Sequence, residues 1–139
     1  MRAVFADTNY LVALIVPNDD WHQLAVEASK KLVNAHVYTS DSVIVEFLNF
    51  FCERGEHARK LAIQAYHAFQ EDPNFTILPQ SRAIFNNAIQ LYSTRSDKGY
   101  SMTDCVSMAE MKHRSINEIL TKDHHFEQES FLILMKKAD

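Results

Sequence analysis

The sequence contains few of the residues that make tight turns or crosslinks. Only 2 glycines and 3 prolines occur in 139 residues, which argues against a turn-rich β-barrel or β-sandwich. The two cysteines, Cys52 and Cys105, stand alone in helix-like segments without metal-type spacing. We therefore expect two buried free thiols, as in a cytosolic protein, although a single disulfide is a formal alternative. The 7 histidines also lack the spacing of a zinc site.

Long apolar runs and an excess of positive charge are missing as well. No run approaches the roughly 20 apolar residues of a membrane span. The apolar N-terminus is interrupted by Asp7 and Asn9, and no small-residue cleavage site follows it, unlike in a signal peptide. The net charge of −4 argues against a general nucleic-acid coat protein, but a bound cation can reverse the sign of the potential locally. We expect a cytoplasmic protein without a membrane-spanning segment.

The composition is that of a folded globular chain. Hydrophobic residues make up 47% and charged residues 23%, and 139 residues suit one domain spanning positions 1–139. Short apolar runs alternate with longer segments of helical periodicity, which predicts an α/β fold with a parallel sheet and helices on both faces. The predicted strands are residues 4–6, 37–39, 75–78, 119–121 and 131–135.

Four acidic residues stand at positions that matter in such a fold. Asp7 directly follows the first strand and Asp123 closely follows the fourth, so both lie at the edge where parallel sheets bind ligands. Asp104 falls in the first turn of a helix, where the helix dipole favours a carboxylate. Glu46 lies inside VIVEFLNFF, the most apolar helix, where an unpaired carboxylate is costly.

Each acid also has an ordinary interpretation. Asp7 can cap a helix, Asp104 can complement the dipole and Asp123 can be a turn residue, while Glu46 can form an ion pair or face solvent. Converging carboxylates, however, repel each other unless they share a divalent cation. An all-oxygen site suits Mg²⁺ or Mn²⁺ rather than Zn²⁺. Such an ion, completed by water and a substrate phosphate, is suited to phosphodiester hydrolysis.

The order and spacing of these motifs resemble the PIN-domain nucleases, and among them the VapC-type toxins of toxin–antitoxin pairs. The resemblance spans essentially the whole chain. It is carried by Asp7-Thr8-Asn9 after the first strand, Glu46 in the helix after the second, the stretch DKGYSMTD ending at Asp104, and TKDHHF over residues 121–126.

The resemblance implies a PIN-like three-layer α/β/α fold with strand order 3-2-1-4-5. It also implies an Mg²⁺- or Mn²⁺-dependent endoribonuclease. Asp7 and Asp104 would be the principal metal ligands, and Glu46 and Asp123 would complete the acidic centre. The side chains expected to orient these ligands are Thr8 and Asn9 for Asp7 and a bound water, and Thr121 for Asp123.

The resemblance further implies partners: an RNA substrate, a cognate antitoxin protein and a second copy of the chain in a homodimer. Four side chains beside the acidic stretches are candidates for contacting RNA, with solvated surface charge as the alternative: Lys98, Lys122, His124 and His125. Some relatives carry a further acid two to four residues past the last Asp. His125 and Glu127 stand there in this chain, which leaves a second-metal ligand open.

Two competing functions remain open at this point. The chain could be a catalytically silent PIN module that binds RNA or protein. A phosphatase of the haloacid dehalogenase type also begins with a strand followed by Asp, but that chemistry requires a second Asp two residues on, where this chain has Asn9.

Overall fold

The computed structural model describes residues 1–137 and contains one sheet of short parallel strands. The strands are β1 (Arg2–Ala6), β2 (Ala35–Ser40), β3 (Phe75–Leu78), β4 (Glu118–Leu120) and β5 (Leu132–Ile133). They lie in the order β3-β2-β1-β4-β5, and every neighbouring pair is parallel. The predicted parallel α/β fold and the strand order implied by the resemblance are both confirmed.

Helices connect the strands and flank the sheet. They are α1 (Thr8–Ile15), α2 (His22–Lys30), α3 (Asp41–Phe51), α4 (Glu56–Glu71), α5 (Arg82–Thr94), α6 (Met102–Arg114) and α7 (His125–Gln128). Helix α5 packs on α6, α1 packs on α2 and α3, and α3 packs on α4. Within residues 1–137, no helix combines the length and the apolarity that crossing a bilayer requires.

The centre of the sheet is apolar on both faces. Val4, Phe5 and Ala6 of β1 are fully buried, as are Ile119 and Leu120 of β4. Strands covered by helices on both sides show such continuous apolar runs rather than an alternating pattern. β5 is shorter than the predicted 131–135; it pairs with β4 alone, and its Leu132 side chain is exposed.

Polar residues at strand ends start the helices that follow. Asp7 is the N-cap of α1, and its side chain accepts a hydrogen bond from the Thr8 amide. Ser40 caps α3 in the same way through the Val43 amide. Ser101 and Asp104 form a reciprocal capping box at the start of α6. Asp7 therefore does cap a helix and Asp104 does lie in the first turn of one, as their ordinary interpretations state. These local roles fix the positions of both carboxylates.

The prediction of two buried thiols is wrong for Cys52. Both cysteines are free, but only Cys105 is buried. Helix α3 ends at Phe51, so Cys52 lies in the exposed turn that leads to Gly55. Gly55 has a φ of 97°, a left-handed conformation that favours glycine and lets the chain reverse into α4.

Candidate active site

The pairing of the two central strands brings Asp7 close to the loop that carries Asp123. Ala6 pairs with Leu120 in the register of β1 and β4, and the Asp7 amide donates to the Leu120 carbonyl at 3.1 Å. The residues that come next, Asp7 and Thr121, are therefore neighbours although 114 positions separate them. Parallel strands carry the following residues to one edge of the sheet, which explains why remote acids meet here.

All four predicted acids line one open cavity of about 470 Å³ at this edge. Asp7 comes from the end of β1, Glu46 from α3, Asp104 from the start of α6, and Asp123 from the loop after β4. Four other predicted residues line the same cavity: Thr8, Asn9, Lys122 and His125. The fold therefore gathers side chains from four separate segments into a single solvent-accessible site.

Hydrogen bonds hold the Asp7 carboxylate in one orientation. The Thr121 hydroxyl donates to Asp7 Oδ2 at 2.8 Å, and Asn9 Nδ2 donates to the same oxygen at 3.2 Å. The Thr8 amide donates to Asp7 Oδ1 at 2.8 Å. Thr121 thus supports Asp7 directly, whereas it contacts Asp123 only by accepting that residue's backbone amide at 3.1 Å. The sequence predicted Asp123 as the partner of Thr121, and this assignment differs from the observed contact.

Thr8 and Asn9 divide their contacts between different parts of the site. The Thr8 hydroxyl donates to Glu46 Oε1 at 2.6 Å rather than to Asp7. Asn9 also donates to Thr121 Oγ1 at 2.9 Å, and its own oxygen accepts the Lys122 amide at 3.1 Å. The triplet Asp7-Thr8-Asn9 therefore connects α3, β1 and the loop after β4. It links Asp7 to Glu46 directly and to the loop of Asp123 through Thr121 and Lys122.

Asp104, Asp123 and His125 form the tightest group of possible metal ligands. One donor atom of each lies within 4.8 Å of the other two. Asp7 and Glu46 line the same cavity outside this group of three. Within residues 1–137, neither lysine nor arginine forms an ion pair with any of the four acids. The donor set therefore fits a hard dication that would neutralise the carboxylates.

Burial raises the pKa of two of the carboxyl groups. The pKa of Asp7 rises to about 7, chiefly because the residue is buried; the Thr121 hydrogen bond opposes the shift, and the charges of Asp104 and Glu46 add to it. The pKa of Asp104 is also raised, again mainly by burial; the hydrogen bond with Ser101 lowers it and the charge of Asp123 raises it further. Both shifts reflect negative charge held where water cannot solvate it.

The raised pKa of Asp7 predicts how the stability of the metal-free protein depends on pH. The folded carboxyl keeps its proton up to about pH 7, whereas the unfolded one loses it near 3.8. Because the folded state binds the extra proton, the contribution of Asp7 to stability falls as the pH rises through this window. We expect the free energy of unfolding of the wild type to fall by roughly 2 kcal/mol between about pH 5 and about pH 7.5. The variant Asp7→Asn should not show this fall. Chemical unfolding of both proteins in EDTA measures it, and equal slopes would contradict the assignment.

The candidate RNA-binding residues divide into two inside the cavity and two outside it. Lys122 and His125 line it, and the Lys122 ammonium lies 5.2 Å from the centre of the Trp21 ring. Lys98 lies outside, with its ammonium 3.9 Å from Asp97. His124 is exposed and its imidazole contacts Glu127 at 2.6 Å. Of these four candidates, only Lys122 and His125 therefore line the cavity.

Five residues that line the cavity were not predicted as site residues: Val12, Asp19, Phe50, Gly99 and Ser101. Phe50 follows Glu46 by four residues and so shares its helix face, a spacing that could have identified it. Asp19 lies in the loop after α1, where its carboxylate accepts the Trp21 amide at 2.8 Å. The sequence carried no signal for Asp19, because only the path of that loop brings it to the cavity.

Removing the Thr121 hydroxyl tests whether the orientation of Asp7 matters. We expect Thr121→Val to reduce metal affinity about 10- to 100-fold, because Asp7 Oδ2 loses its shortest hydrogen bond. Thr39→Val is the matched control, since Thr39 is also fully buried but donates to the Ala6 carbonyl. Calorimetric titration of Mn²⁺ into both variants measures the difference. Equal losses in the two variants would show that burial alone, and not Asp7, is responsible.

Comparison with known proteins agrees with the geometry. The sequence profile of the PIN domain matches residues 4–132. Comparison with curated proteins finds no match. Among solved structures, VapC20 of Mycobacterium tuberculosis, a sarcin–ricin loop cleaving toxin, is similar with 21% identity and a TM-score of 0.83, over 93% of this chain and 96% of its own.

Two further solved structures share the fold. FitAcB from Neisseria gonorrhoeae has 19% identity and a TM-score of 0.67, over 94% of this chain and 96% of its own. VapBC2 from Rickettsia felis, bound to a DNA fragment from its promoter, has 15% identity and a TM-score of 0.65, over the same shares of the two chains. The strand order, the acidic cavity and the profile match lead to one conclusion: this chain belongs to the PIN-domain family.

Proposed function

We propose that the protein is a metal-dependent endoribonuclease and the toxin of a toxin–antitoxin pair. The observation that carries the proposal is the convergence of Asp7, Glu46, Asp104 and Asp123 in one open cavity without a lysine or arginine ion pair among the described residues. Membership of the PIN-domain family and the fold shared with VapC20 support it.

Asp7 and Asp104 would hold Mg²⁺ or Mn²⁺ in this cavity, and Glu46 and Asp123 would complete the site directly or through water. When bound, the ion supplies activation of a water molecule and neutralises charge on the leaving oxygen of a phosphodiester. The positions of the carboxylates suit this assignment because oxygen ligands are those that both ions prefer. Asp7 would stay ionised near neutral pH once a cation offsets its burial.

Neighbouring polar groups orient three of the four carboxylates. Thr121 and Asn9 hold Asp7 Oδ2 in place, and Ser101 fixes Asp104 through the capping box at 3.1 Å. The Thr8 hydroxyl donates to one oxygen of Glu46 and so fixes the direction of that carboxylate. The chain therefore orients ligand oxygens before substrate arrives, which is how supporting hydrogen bonds sharpen metal sites.

RNA would enter across the open side of the cavity. Lys122 and His125 line the cavity and are placed to contact a phosphate there. Lys98 and His124 adjoin the lining residues Gly99 and Asp123 in the chain and would contact the backbone outside. Phosphate contacts of this kind position a strand without reading its sequence.

The proposal extends to partners and to location. VapC20, a toxin, shares the fold of this chain, and so do FitAcB and the DNA-bound VapBC2. By analogy we propose a cognate antitoxin that keeps this nuclease inactive, and assembly of the chain as a homodimer. We also propose that the protein acts in the cytoplasm, where it would meet both an RNA substrate and a cognate antitoxin.

Digestion of total RNA by the purified protein tests the proposed function. We expect discrete cleavage products with Mg²⁺ or Mn²⁺, which primer extension maps to a few positions. Binding of RNA without cleavage in either metal, and without heat on titration with Mg²⁺, would instead establish the silent binding module. A result of neither binding nor cleavage of RNA would refute both the nuclease and an RNA-binding module, and would leave a protein-binding module.

A further inference from the structure

We propose that His125 is a nitrogen ligand of the metal site and gives the site a preference for a first-row transition dication such as Mn²⁺ over Mg²⁺. The inference rests on the proposed metal-dependent function and goes beyond it, because it assigns the choice of ion to one side chain. Mg²⁺ is bound almost entirely by oxygen, whereas transition ions also accept an imidazole nitrogen.

The imidazole lies where a ligand of a shared ion would lie. His125 Nδ1 is 3.4 Å from Asp104 Oδ2 and 3.4 Å from Asp123 Oδ1. Ligand atoms about 2.1 Å from a six-coordinate ion are about 3 Å apart when they are adjacent. The two separations from the imidazole are therefore close to those of neighbouring ligands, and the donor atoms of the two carboxylates lie within 4.8 Å of each other.

Neighbouring side chains hold the His125 ring in this position. The Tyr100 ring packs edge-on against it, with the ring centres 5.3 Å apart. The Tyr100 hydroxyl donates to Glu129 Oε2 at 2.9 Å, and the Glu129 side chain is itself 7% exposed between Arg95 and Lys112. The ring is thus supported by a nearly buried network, which a freely solvated surface histidine would not have.

The backbone of the same loop ties His125 to an acidic ligand. The His125 amide donates to Asp123 Oδ1 at 2.9 Å, so the carboxylate and the imidazole keep a fixed relation. Supporting contacts of this kind set the geometry of ligands before the ion binds. The Asp123 carboxylate and the His125 imidazole are therefore held together at the start of α7.

The acidic residue that could have supplied an oxygen ligand instead of His125 points away from the Asp104 and Asp123 carboxylates. Glu127 stands two residues after His125, but its carboxylate contacts Lys136 at 2.7 Å and His124 at 2.6 Å. The second position left open by the sequence is therefore taken by a nitrogen donor and not by an oxygen donor. An imidazole ligand beside these carboxylates lowers the affinity of the site for Mg²⁺ relative to an all-oxygen site of the same size.

The test compares the full-length wild type with His125→Asp, which replaces the nitrogen ligand by an oxygen ligand. His113→Gln is the matched control, because His113 is exposed at the far end of α6, the helix that begins near Asp104. Calorimetry gives the affinities for Mn²⁺ and Mg²⁺, and pulsed electron paramagnetic resonance of the Mn²⁺-loaded proteins detects a directly bound nitrogen.

We expect wild type and His113→Gln to bind Mn²⁺ at least about 10-fold more tightly than Mg²⁺ and to show nitrogen modulation. In His125→Asp the preference falls by a similar factor and the modulation disappears. Bound Mn²⁺ without nitrogen modulation in wild type, an unchanged preference in His125→Asp, or no Mn²⁺ binding at all would each overturn the inference. RNA cleavage by a wild type without nitrogen modulation would leave the proposed nuclease standing, whereas nitrogen modulation without cleavage in either metal would refute only the nuclease.

Discussion

Asp104→Asn should reduce RNA cleavage by roughly a thousandfold while leaving the fold intact, because a metal ligand supplies several kcal/mol of charge stabilisation. Asparagine keeps the volume of the side chain, and its oxygen can still accept the Ser101 amide at the start of α6. Cleavage rates at saturating Mn²⁺, with circular dichroism and thermal unfolding of the same samples, measure both parts of the expectation.

Asp41→Asn is the matched control for that experiment. Asp41 also begins a helix, but it is exposed and accepts the Gln80 amide outside the cavity. Its cleavage rate should stay within about twofold of wild type, since surface changes of this kind have small effects. Equal rates for wild type and Asp104→Asn would remove Asp104 from the catalytic centre, and unfolding of Asp104→Asn would assign it a structural role.

Removal of divalent ions should abolish cleavage by the wild type completely. Without a cation, four carboxylates repel each other and also repel the phosphate of an incoming RNA strand. Dialysis against EDTA followed by an RNA digest measures the loss, and added Mn²⁺ or Mg²⁺ should restore the activity. Asp104→Asn purified in parallel controls for contaminating ribonucleases. Persistent wild-type cleavage in EDTA, absent from the variant, would establish a metal-independent mechanism.

The part of the site that could be predicted from sequence depends on strand ends. Asp7 and Asp123 follow apolar runs that only a central parallel strand explains, and the carboxyl ends of such strands share an edge. Asp104 could be placed because it falls in the first turn of its helix, where the capping box with Ser101 holds it. Each of these signals is local in the sequence. The topology of the fold then brings the three acids close together in space.

The hydrogen-bond partners inside the site could not be predicted in the same way. The rotation of α3 against α1 decides which acid accepts the hydrogen bond from the Thr8 hydroxyl. In the structure that acid is Glu46 and not Asp7. Similarly, the start of α7 decides that His125 faces the cavity while Glu127 faces Lys136. Contacts between elements that are remote in the sequence set these orientations. The spacing of residues within a single helix or strand therefore does not predict them.

Calorimetric titration of Mn²⁺ into metal-free protein at neutral pH tests most directly whether the four acids form a cation site. We expect saturable binding to the wild type, and loss of that binding in the double variant Asp7→Asn, Asp104→Asn with its fold preserved. Absence of saturable heat in the wild type, or the same isotherm in the folded double variant, would contradict it.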